Sequence, residues 1–300
     1  MTLPNFLVIG AAKAGTTSLR TYLDQHPEVF VTERGEPSFF AHENEVPAYA
    51  GPGDADWNGT LFTDYEAYAA LFDGAEGARA IGEISPRYLY FEAAPERIAR
   101  HVPDARLIAI LRHPVDRAYS HFLMNRSRGC EPVRDFAEAM ELEEERLQAG
   151  WGWDWCYVGA GLYHRQLERY YARFPKERIR VFLYEDLKDQ ERFFTDVFTF
   201  LGVDPCIRPD TSVRHRSAVR PRHYRLQQLV KQPGAVKTMV KTLVPERARI
   251  RARRAFTAWN ATAPERLAPD TRRALFERYF AAECRRLEPL IGRSLSPWFR

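Results

Sequence analysis

Short apolar runs alternate with stretches of helical periodicity along much of the chain. Five such runs, at residues 6–9, 29–31, 80–84, 107–111 and 179–183, predict buried strands. After the first run, Leu19, Tyr22 and Leu23 share one helical face, which predicts a helix between the first two strands. This alternation is typical of βαβ units and predicts an α/β fold of three layers, with a central parallel sheet flanked by helices.

The rest of the chain is less regular. Residues 47–60 are rich in Pro, Gly, Asp and Asn and are expected to form a surface loop. Thr63 and Glu66 have the spacing of a capping box and predict a helix that runs to Phe72. We expect one domain over 1–300, with helices at 114–125, near 161–173 and near 190–201, an insertion at 129–160 and a mostly helical C-terminal part over 220–300.

The composition favours a folded protein with reduced thiols. The 300 residues are 45% apolar and 28% charged, which excludes disorder and provides enough apolar mass for a core. The four cysteines lie far apart without a C-x-x-C pair, so neither a disulfide framework nor a structural zinc site is predicted. Because we find no signal-peptide pattern and no 18-residue apolar stretch, we expect a reducing, cytoplasmic compartment.

Charge is distributed unevenly along the chain. Residues 1–207 hold 22 Lys and Arg against 33 Asp and Glu, whereas residues 208–254 hold 14 against 2. A short basic segment on an otherwise acidic chain favours a local anion-binding face over general affinity for nucleic acid. The stretch 231–254 leaves two interpretations open: peripheral contact with a membrane surface or an acidic acceptor, and a solvated basic helix face.

The loop after the first predicted strand is a candidate anion site. Small residues at 10–18 stand between a strand and a helix, where backbone N–H groups and the helix N-terminus can surround a phosphate. Lys13 adds a positive charge, and three hydroxyl groups follow at 16–18. The loop differs from a Walker A motif because its lysine precedes Gly15. The alternative is a tight connection with a solvated lysine.

A second anion site is predicted where the fourth strand ends. Arg112 is the first residue after that strand, and Ser120 follows about two turns along the next helix. Ligands of open α/β sheets gather at the carboxyl ends of the strands, and Arg and Ser side chains can bind one phosphate together. An ion pair with Asp116 at the helix start is the alternative for Arg112.

These two motifs, in this order and about a hundred residues apart, resemble the sulfotransferases that use 3′-phosphoadenosine 5′-phosphosulfate (PAPS). The segments AAKAGTTSL at 11–19 and ILRHPVDRAYS at 110–120 are similar to the two signatures of that family. Other similar segments are GEPSFF (35–40), GEISPRYL (82–89), YEDL (184–187), FLGV (200–203) and LIGRSLSPW (290–298). The resemblance is greatest to bacterial enzymes that are similar to heparan sulfate sulfotransferases.

The resemblance implies a P-loop-like fold, PAPS as co-substrate, 3′-phosphoadenosine 5′-phosphate (PAP) as product, and no metal. Its first signature holds the 5′-phosphosulfate, which assigns that role to Lys13, Ala14, Gly15, Thr16, Thr17 and Ser18. Its second signature assigns the 3′-phosphate to Arg112 and Ser120. The family also has a basic loop over this phosphate, in which we choose Arg220 and Arg222, with Ser217 as a helper.

Sulfuryl transfer needs a base that takes a proton from the acceptor. The resemblance assigns this role to Glu83, with Glu36 as the reserve candidate and Lys13 at the leaving oxygen. Many relatives have a lysine where this chain has Ile84, so Lys13 acts alone here or with help from Arg87. Without the family context, Glu83 is interpreted as a strand-end carboxylate paired with Arg87.

The acceptor is expected to carry a hydroxyl or an amine and to be a saccharide, a lipid or a small metabolite, without a nucleic-acid partner. Trp151, Trp153 and Trp155 predict either a wall on which a sugar stacks or packing within the insertion. Two other functions are considered: a P-loop small-molecule kinase, which predicts magnesium dependence, and a non-enzymatic polyanion-binding protein that uses residues 208–254.

Overall fold

The computed structural model describes residues 2–212, 220–223, 226, 251, 255–256, 258–262 and 266–300. Its central sheet has five parallel strands in the order β2-β3-β1-β4-β5. They are β1 Phe6–Gly10, β2 Val29–Val31, β3 Ala80–Ile84, β4 Arg106–Leu111 and β5 Ile179–Leu183. The chain leaves the central β1 toward β2 and β3 on one side and later continues to β4 and β5 on the other. A crevice therefore opens beyond the carboxyl end of β1.

Helices flank this sheet, and the predicted α/β fold is confirmed. Those of the first half are α1 Thr16–Leu23, α2 Phe39–His42, α3 Asp54–Asn58, α4 Tyr65–Ala69, α5 Ala94–His101, α6 Pro114–Arg128, α7 Phe136–Glu141 and α8 Glu143–Gln148. Later in the chain come α9 Tyr163–Tyr171, α10 Gln190–Leu201, α11 Pro269–Tyr279 and α12 Ala281–Ile291. Short 3-10 turns lie at Ala70–Phe72, Trp153–Trp155, Gly159–Gly161, Lys176–Arg178, Tyr184–Lys188 and Ser296–Phe299.

The central strands are buried almost throughout. Every residue of β1 and β3 is buried, as is every residue of β4 after Arg106. Strands that are buried on both faces appear as continuous apolar runs rather than as alternating patterns. For this reason the runs of β1, β3 and β4 predicted the strand bounds to within one residue, and those of the less buried β2 and β5 matched as well.

Two expected boundaries are wrong. The helix expected to start at a capping box on Thr63 begins at Tyr65, because the Asp64 carboxylate accepts the Ala67 N–H at 2.8 Å and caps it instead. The helix expected at 114–125 continues to Arg128 and ends at Gly129, whose φ of +76° is the left-handed conformation that glycine adopts at helix ends.

Residues 47–60 are not simply a surface loop, since they contain α3. Asp54, the first residue of this helix, is only 3% exposed. Its carboxylate accepts the N–H of Gly51 at 2.8 Å and that of Gly152 at 2.9 Å. Loop-like composition was a poor guide here, because a buried carboxylate ties this segment to residues nearly a hundred positions later.

The segment 129–160 shares the core of the sheet. Phe136, Met140 and Tyr157 are buried in the same apolar cluster as the strands. Near the start of this segment, the fully buried Glu131 accepts two hydrogen bonds from the Arg146 guanidinium, at 2.7 and 2.9 Å, and one from the Tyr157 hydroxyl at 2.8 Å. This buried ion pair fixes the path between α6 and α8.

The C-terminal helices pack against the body of the protein, α11 on α6 and α12 on α9. Arg272 forms a bidentate ion pair with Asp116 at 2.9 and 3.2 Å, and His113 Nε2 lies 3.2 Å from the carbonyl oxygen of Trp298. Both contacts join the end of the chain to the start of α6. In the described residues, no helix is both long enough and apolar enough to cross a membrane.

The C-terminal part also contains a short antiparallel ribbon that the sequence did not predict. Its strands are β6 Arg220–Pro221 and β7 Ala261–Thr262. Two residues per strand leave no readable alternation, so periodicity could not find them. Ser217 and, apart from Arg251, the basic stretch 231–254 lie outside the described residues.

Candidate active site

The carboxyl ends of all five strands meet at one edge of the sheet, and a polar side chain follows each of them. In chain order these residues are Lys13 after β1, Glu36 after β2, Arg87 after β3, Arg112 after β4 and Tyr184 after β5. Because parallel strands end at the same edge, residues spread over 170 positions of sequence surround one crevice.

The loop after β1 opens a helix N-terminus toward this crevice. Ala11 N–H donates to Ile110 of β4 at 2.8 Å, which anchors the loop. Gly15 precedes α1 with φ of +96°, and a Cβ there would lie 2.9 Å from Leu187 Cδ1. Glycine has no side chain to cap the helix, so the first N–H groups of α1 are left for an anion.

The predicted loop residues are not equally placed for a phosphate. Ala14 is fully buried and its N–H already donates to Ala11 at 3.1 Å, so it lines the loop without offering a donor. Thr16 is also buried, whereas Ser18 is half-buried and Thr17 is exposed. The hydroxyl groups that face outward are therefore those of Thr17 and Ser18.

Lys13 points into the protein. Its φ is +69°, and its Nζ lies 3.4 Å from Met124 Sδ on α6. Burial lowers the pKa of the ammonium, the guanidinium of Arg128 lowers it further, and the Glu36 carboxylate opposes both. The half-buried side chain in contact with Met124 is thus not the solvated lysine of the alternative.

Arg112 joins the second predicted site to the first. Its Nη1 donates to the carbonyl oxygen of Lys13 at 3.1 Å, and its guanidinium lies 4.8 Å from the ring centre of Tyr184. The alternative ion pair with Asp116 is wrong, because Asp116 instead holds Arg272.

The rest of the predicted 3′-phosphate site follows α6. Ser120 is half-buried on that helix, and strand β6, which begins at Arg220, packs against the same helix. Arg222 follows the strand, and its N–H donates to the Asn260 carbonyl at 2.7 Å while the residue is exposed. The structure thus places this part of the ribbon beside the helix that carries Ser120.

Glu83 is enclosed on all sides. Its Oε1 accepts hydrogen bonds from the hydroxyls of Tyr68 at 2.9 Å and Tyr88 at 2.6 Å, and its Oε2 accepts one from the Ser85 hydroxyl at 2.6 Å. The residue is 0% exposed, and burial raises the pKa of its carboxyl to about 7 although the three hydroxyl bonds oppose the rise. Arg87 is not its partner, so the predicted strand-end pair is absent and Glu83 does not face the crevice.

The carboxylate that faces Lys13 is that of Glu36. Its side chain is 40% exposed, and Oε2 lies 3.9 Å from Nη2 of Arg87. Arg87 itself is nearly buried, with its guanidinium 4.5 Å from the Trp57 ring and 4.8 Å from the Trp153 ring. Limited hydration raises the pKa of Glu36, and the charges of Arg87, Arg128 and Lys13 oppose that rise.

The tryptophans at 151–155 mainly pack the protein. Trp155 is 2% exposed and contacts Trp151 edge to face, whereas Trp153 forms one wall around Arg87. Between them, Asp154 lies 3.4 Å from Nε2 of His121 and 3.6 Å from Nη1 of Arg128. Burial lowers the pKa of His121 to about 4, so this imidazole is neutral at pH 7.

A buried cation lies under the crevice. Arg117 is 0% exposed, donates to the Tyr157 carbonyl at 2.7 Å, and forms no ion pair with any described carboxylate. Burial lowers its pKa, yet arginine remains charged at neutral pH. Together with Lys13, Arg112 and Arg128, it gives the crevice a positive potential suited to an anionic ligand.

A family model described as the Sulfotransferase family matches residues 4–206. The matched range contains the whole central sheet together with Lys13, Glu36, Glu83 and Arg112. The chain belongs to the sulfotransferase family. The family resemblance seen in the sequence is confirmed.

This sulfotransferase resembles both large eukaryotic enzymes and bacterial ones. It is 32% identical over 216 residues to the mouse bifunctional heparan sulfate N-deacetylase/N-sulfotransferase 3, covering 68% of this chain and 23% of that protein. It therefore spans less than a quarter of that relative. A solved sulfotransferase from Alicyclobacillus acidocaldarius has a TM-score of 0.78 and 32% identity over 100% of both chains. The sulfotransferase domain from the curacin biosynthetic pathway, with a TM-score of 0.51 and 14% identity over 98% of this chain and 100% of that one, shares the fold.

Two of the family-like segments in this sulfotransferase meet as a clasp. Asp186 of YEDL accepts two bonds from Arg293 of LIGRSLSPW and a third from the Leu183 N–H at 2.8 Å. Burial acts in the other direction, but this pairing holds the pKa of Asp186 below its usual value. Tyr184 lies in the same YEDL segment as Asp186, and its ring packs against the Arg112 guanidinium. The clasp therefore helps to hold a residue that contacts the crevice.

Sequence reasoning missed the Trp57–Arg87–Trp153 sandwich of this sulfotransferase. Its members come from α3, the turn after β3 and the segment before α9, and no spacing rule connects them. The one available signal was Arg87 inside GEISPRYL, which was noted only as a partner for Glu83 and as a helper of Lys13.

Proposed function

We propose that this sulfotransferase moves the sulfuryl group of PAPS to a hydroxyl or amine of its acceptor. The observation that supports this most strongly is the contact between Arg112 and the Lys13 carbonyl, at 3.1 Å beside the open N-terminus of α1. This contact brings together the loop before α1, which is suited to bind one phosphate, and Arg112, which is suited to bind another. A donor that carries phosphate at both its 5′ and 3′ positions needs this combination.

In the proposed complex, the two ends of the donor bind along α1 and α6. The N–H groups of Gly15 and Thr16, with the hydroxyls of Thr17 and Ser18, hold the 5′-phosphate. On the other side, the 3′-phosphate binds Arg112 and Ser120, with Arg220 and Arg222 contributing from the ribbon. The Lys13 ammonium neutralises the charge that develops on the bridging oxygen, where electrostatic stabilisation has most effect.

We assign the general base to Glu36 rather than Glu83. A base must lie within hydrogen-bond reach of the proton it removes. Glu83 has both oxygens occupied and no exposed surface, whereas the Glu36 side chain is partly exposed and interacts with Lys13. The raised pKa of Glu36 also strengthens it as a base.

The reaction balances without another reactant. The acceptor oxygen or nitrogen forms a bond to sulfur as the bond between sulfur and the bridging phosphate oxygen breaks. The electron pair of the broken bond stays on that oxygen, which leaves as part of PAP next to Lys13. The acceptor proton passes to Glu36. Because little covalent chemistry falls to the protein, positioning and electrostatics supply most of the rate enhancement.

The acceptor is proposed to be a saccharide. The mouse relative is named for N-sulfotransfer to heparan sulfate, which supports an amine or hydroxyl of a sugar. A sugar hydroxyl or amine could lie beside Glu36, with Trp57 and Arg87 at its edge. Lipid-linked and small-metabolite acceptors remain alternatives, and proposed membrane contact through 231–254 would favour a lipid-linked one.

Calorimetry with PAP tests the donor assignment. We expect PAP to bind without added metal, and AMP, which lacks the 3′-phosphate, to bind at least about tenfold more weakly. Arg112→Leu should reduce PAP binding to the level of AMP while leaving AMP binding nearly unchanged. Tighter binding of Mg-ATP than of PAP, or equal binding of PAP and AMP, would contradict the proposal.

A further inference from the structure

Glu83 is a fully buried carboxylate that the proposed reaction leaves without a role. It lies in β3, whereas Glu36 follows β2, and the two strands pair directly through Val31 and Gly82. The connection that carries Glu36 continues through Ser38 into α2. The contacts of Glu83 lead back to this same connection.

Two hydrogen-bond relays run from the connection to Glu83. Ser38 N–H donates to Ser85 Oγ at 3.0 Å, and that hydroxyl donates to Glu83 Oε2 at 2.6 Å. Phe40 N–H donates to the Tyr88 hydroxyl at 3.3 Å, which in turn donates to Glu83 Oε1 at 2.6 Å. An amide N–H can only donate, so each hydroxyl accepts from the backbone and has its own hydrogen free for Glu83.

The connection needs such anchoring because its backbone is unusual. Ser38 is fully buried and has φ of +59°, a conformation that costs a non-glycine residue free energy unless its surroundings hold it. Its own hydroxyl lies 3.4 Å from the Glu36 carbonyl oxygen, to which it donates. The relay through Ser85 thus ends at Ser38, a residue that is hydrogen-bonded to the backbone carbonyl of Glu36.

We propose that Glu83 is a positioning residue: through Ser85 and Tyr88 it fixes the Ser38 and Phe40 amides, and so sets where Glu36 meets the acceptor. This rests on the proposed role of Glu36. A carboxyl group offers an oxygen to each relay, whereas the amide of glutamine would turn an N–H donor toward one of the two hydroxyls.

The chain offers a matched pair of tyrosines for the test. Tyr68 and Tyr88 are both 0% exposed, and both hydroxyls donate to Glu83 Oε1. Tyr88 also accepts the Phe40 N–H, whereas the Tyr68 hydroxyl holds no amide of residues 35–42. Tyr88→Phe therefore cuts a relay, and Tyr68→Phe removes a comparable bond without cutting one.

The experiment compares Glu83→Gln, Ser85→Ala, Tyr88→Phe and Tyr68→Phe with the wild type. Three quantities are measured: amide hydrogen exchange over residues 35–42, PAP affinity by calorimetry, and kcat and KM for transfer from PAPS to N-deacetylated heparan sulfate. We expect Glu83→Gln to lower kcat by about 10- to 100-fold, in line with a small misplacement of a reacting group. Exchange over residues 35–42 should accelerate at least tenfold, with PAP affinity within twofold of wild type.

Ser85→Ala and Tyr88→Phe should change kcat and exchange in the same direction, and they carry the test if Glu83→Gln does not fold. Tyr68→Phe should keep kcat within about threefold. Equal losses of kcat in Tyr68→Phe and Tyr88→Phe would show that Glu83 only stabilises the fold, and they would overturn the proposal. Loss of kcat in Glu83→Gln with unchanged exchange, and an active Glu36→Gln, would make Glu83 the base and overturn it too.

Failure of the proposed function has a different signature. If the wild type transfers no sulfuryl group and binds no PAP, the donor assignment fails, and the exchange comparison still decides whether Glu83 holds residues 35–42. Unchanged exchange in Glu83→Gln, Ser85→Ala and Tyr88→Phe would overturn the positioning role whatever the activity.

Discussion

Replacing Glu36 by glutamine should abolish most of the activity while leaving the fold intact. A general base contributes about 100- to 10,000-fold to the rate, equivalent to roughly 2.7 to 5.5 kcal/mol of activation free energy. The cost to stability is small, because the Glu36 side chain is 40% exposed and its nearest contact to Arg87 is 3.9 Å. Such a pair contributes about 0 to 1 kcal/mol, so Tm should shift by no more than about 4 °C.

The pH dependence of kcat/KM provides a second, independent test of the role of Glu36. The pKa of Glu36 is raised from 4.5 by its limited hydration, and the base must be ionised to act. Wild-type kcat/KM should therefore rise with pH through a pKa above 4.5, and this acid limb should be absent in Glu36→Gln. Steady-state kinetics from acid to neutral pH, with thermal denaturation alongside, measure both effects.

Glu33→Gln is the matched control for Glu36→Gln, since Glu33 is an exposed carboxylate on the same connection. It should behave as wild type in both assays. The reasoning would be refuted if Glu36→Gln kept more than about a third of the wild-type kcat, or if it lost kcat only in step with PAP affinity and Tm.

Three further predictions follow from other contacts. Ser120→Ala should weaken PAP binding by about 3- to 10-fold in calorimetry, the value of one hydrogen bond to a charged group, with AMP binding unchanged; an equal loss for both nucleotides would place Ser120 elsewhere. Glu131→Gln leaves the buried Arg146 guanidinium without its counter-charge and should cost about 3 to 5 kcal/mol, lowering Tm by roughly 10 °C in scanning calorimetry; a shift below about 2 °C would contradict this. Asp186→Asn should cost about 1 kcal/mol at neutral pH, and because the pairing with Arg293 lowers the pKa of Asp186, the difference from wild type should shrink as the pH falls below about 4; a difference that grows in acid would have the wrong sign.

The sequence predicted the sheet well because of how its strands are buried. β1, β3 and β4 are covered on both faces, so each appears as an uninterrupted apolar run of the correct length. Helix bounds were less accurate, as at Asp64 and Gly129, because caps depend on single side chains and single backbone angles. The ribbon β6–β7 was missed, since a two-residue strand has no periodicity.

The crevice was also predictable, because several of its residues follow strand ends. Lys13 and Arg112 occupy positions that a parallel sheet brings to one edge, and the structure joins them directly. The choice between Glu83 and Glu36 was not predictable in the same way. Both lie in family-like segments, and only the tertiary contacts of Tyr68, Tyr88 and Ser85 show that Glu83 is enclosed.

The assignment of this crevice to sulfuryl transfer is tested most directly with radiolabelled PAPS. Purified protein is incubated with labelled PAPS and N-deacetylated heparan sulfate, or with an acceptor fraction from the native host, and label is counted in acceptor and in released sulfate. The account predicts label in an acceptor together with equimolar PAP, and at least about a hundredfold less in Lys13→Met. Undiminished transfer by Lys13→Met would contradict it, as would a wild-type protein that neither binds PAP nor consumes PAPS with any acceptor.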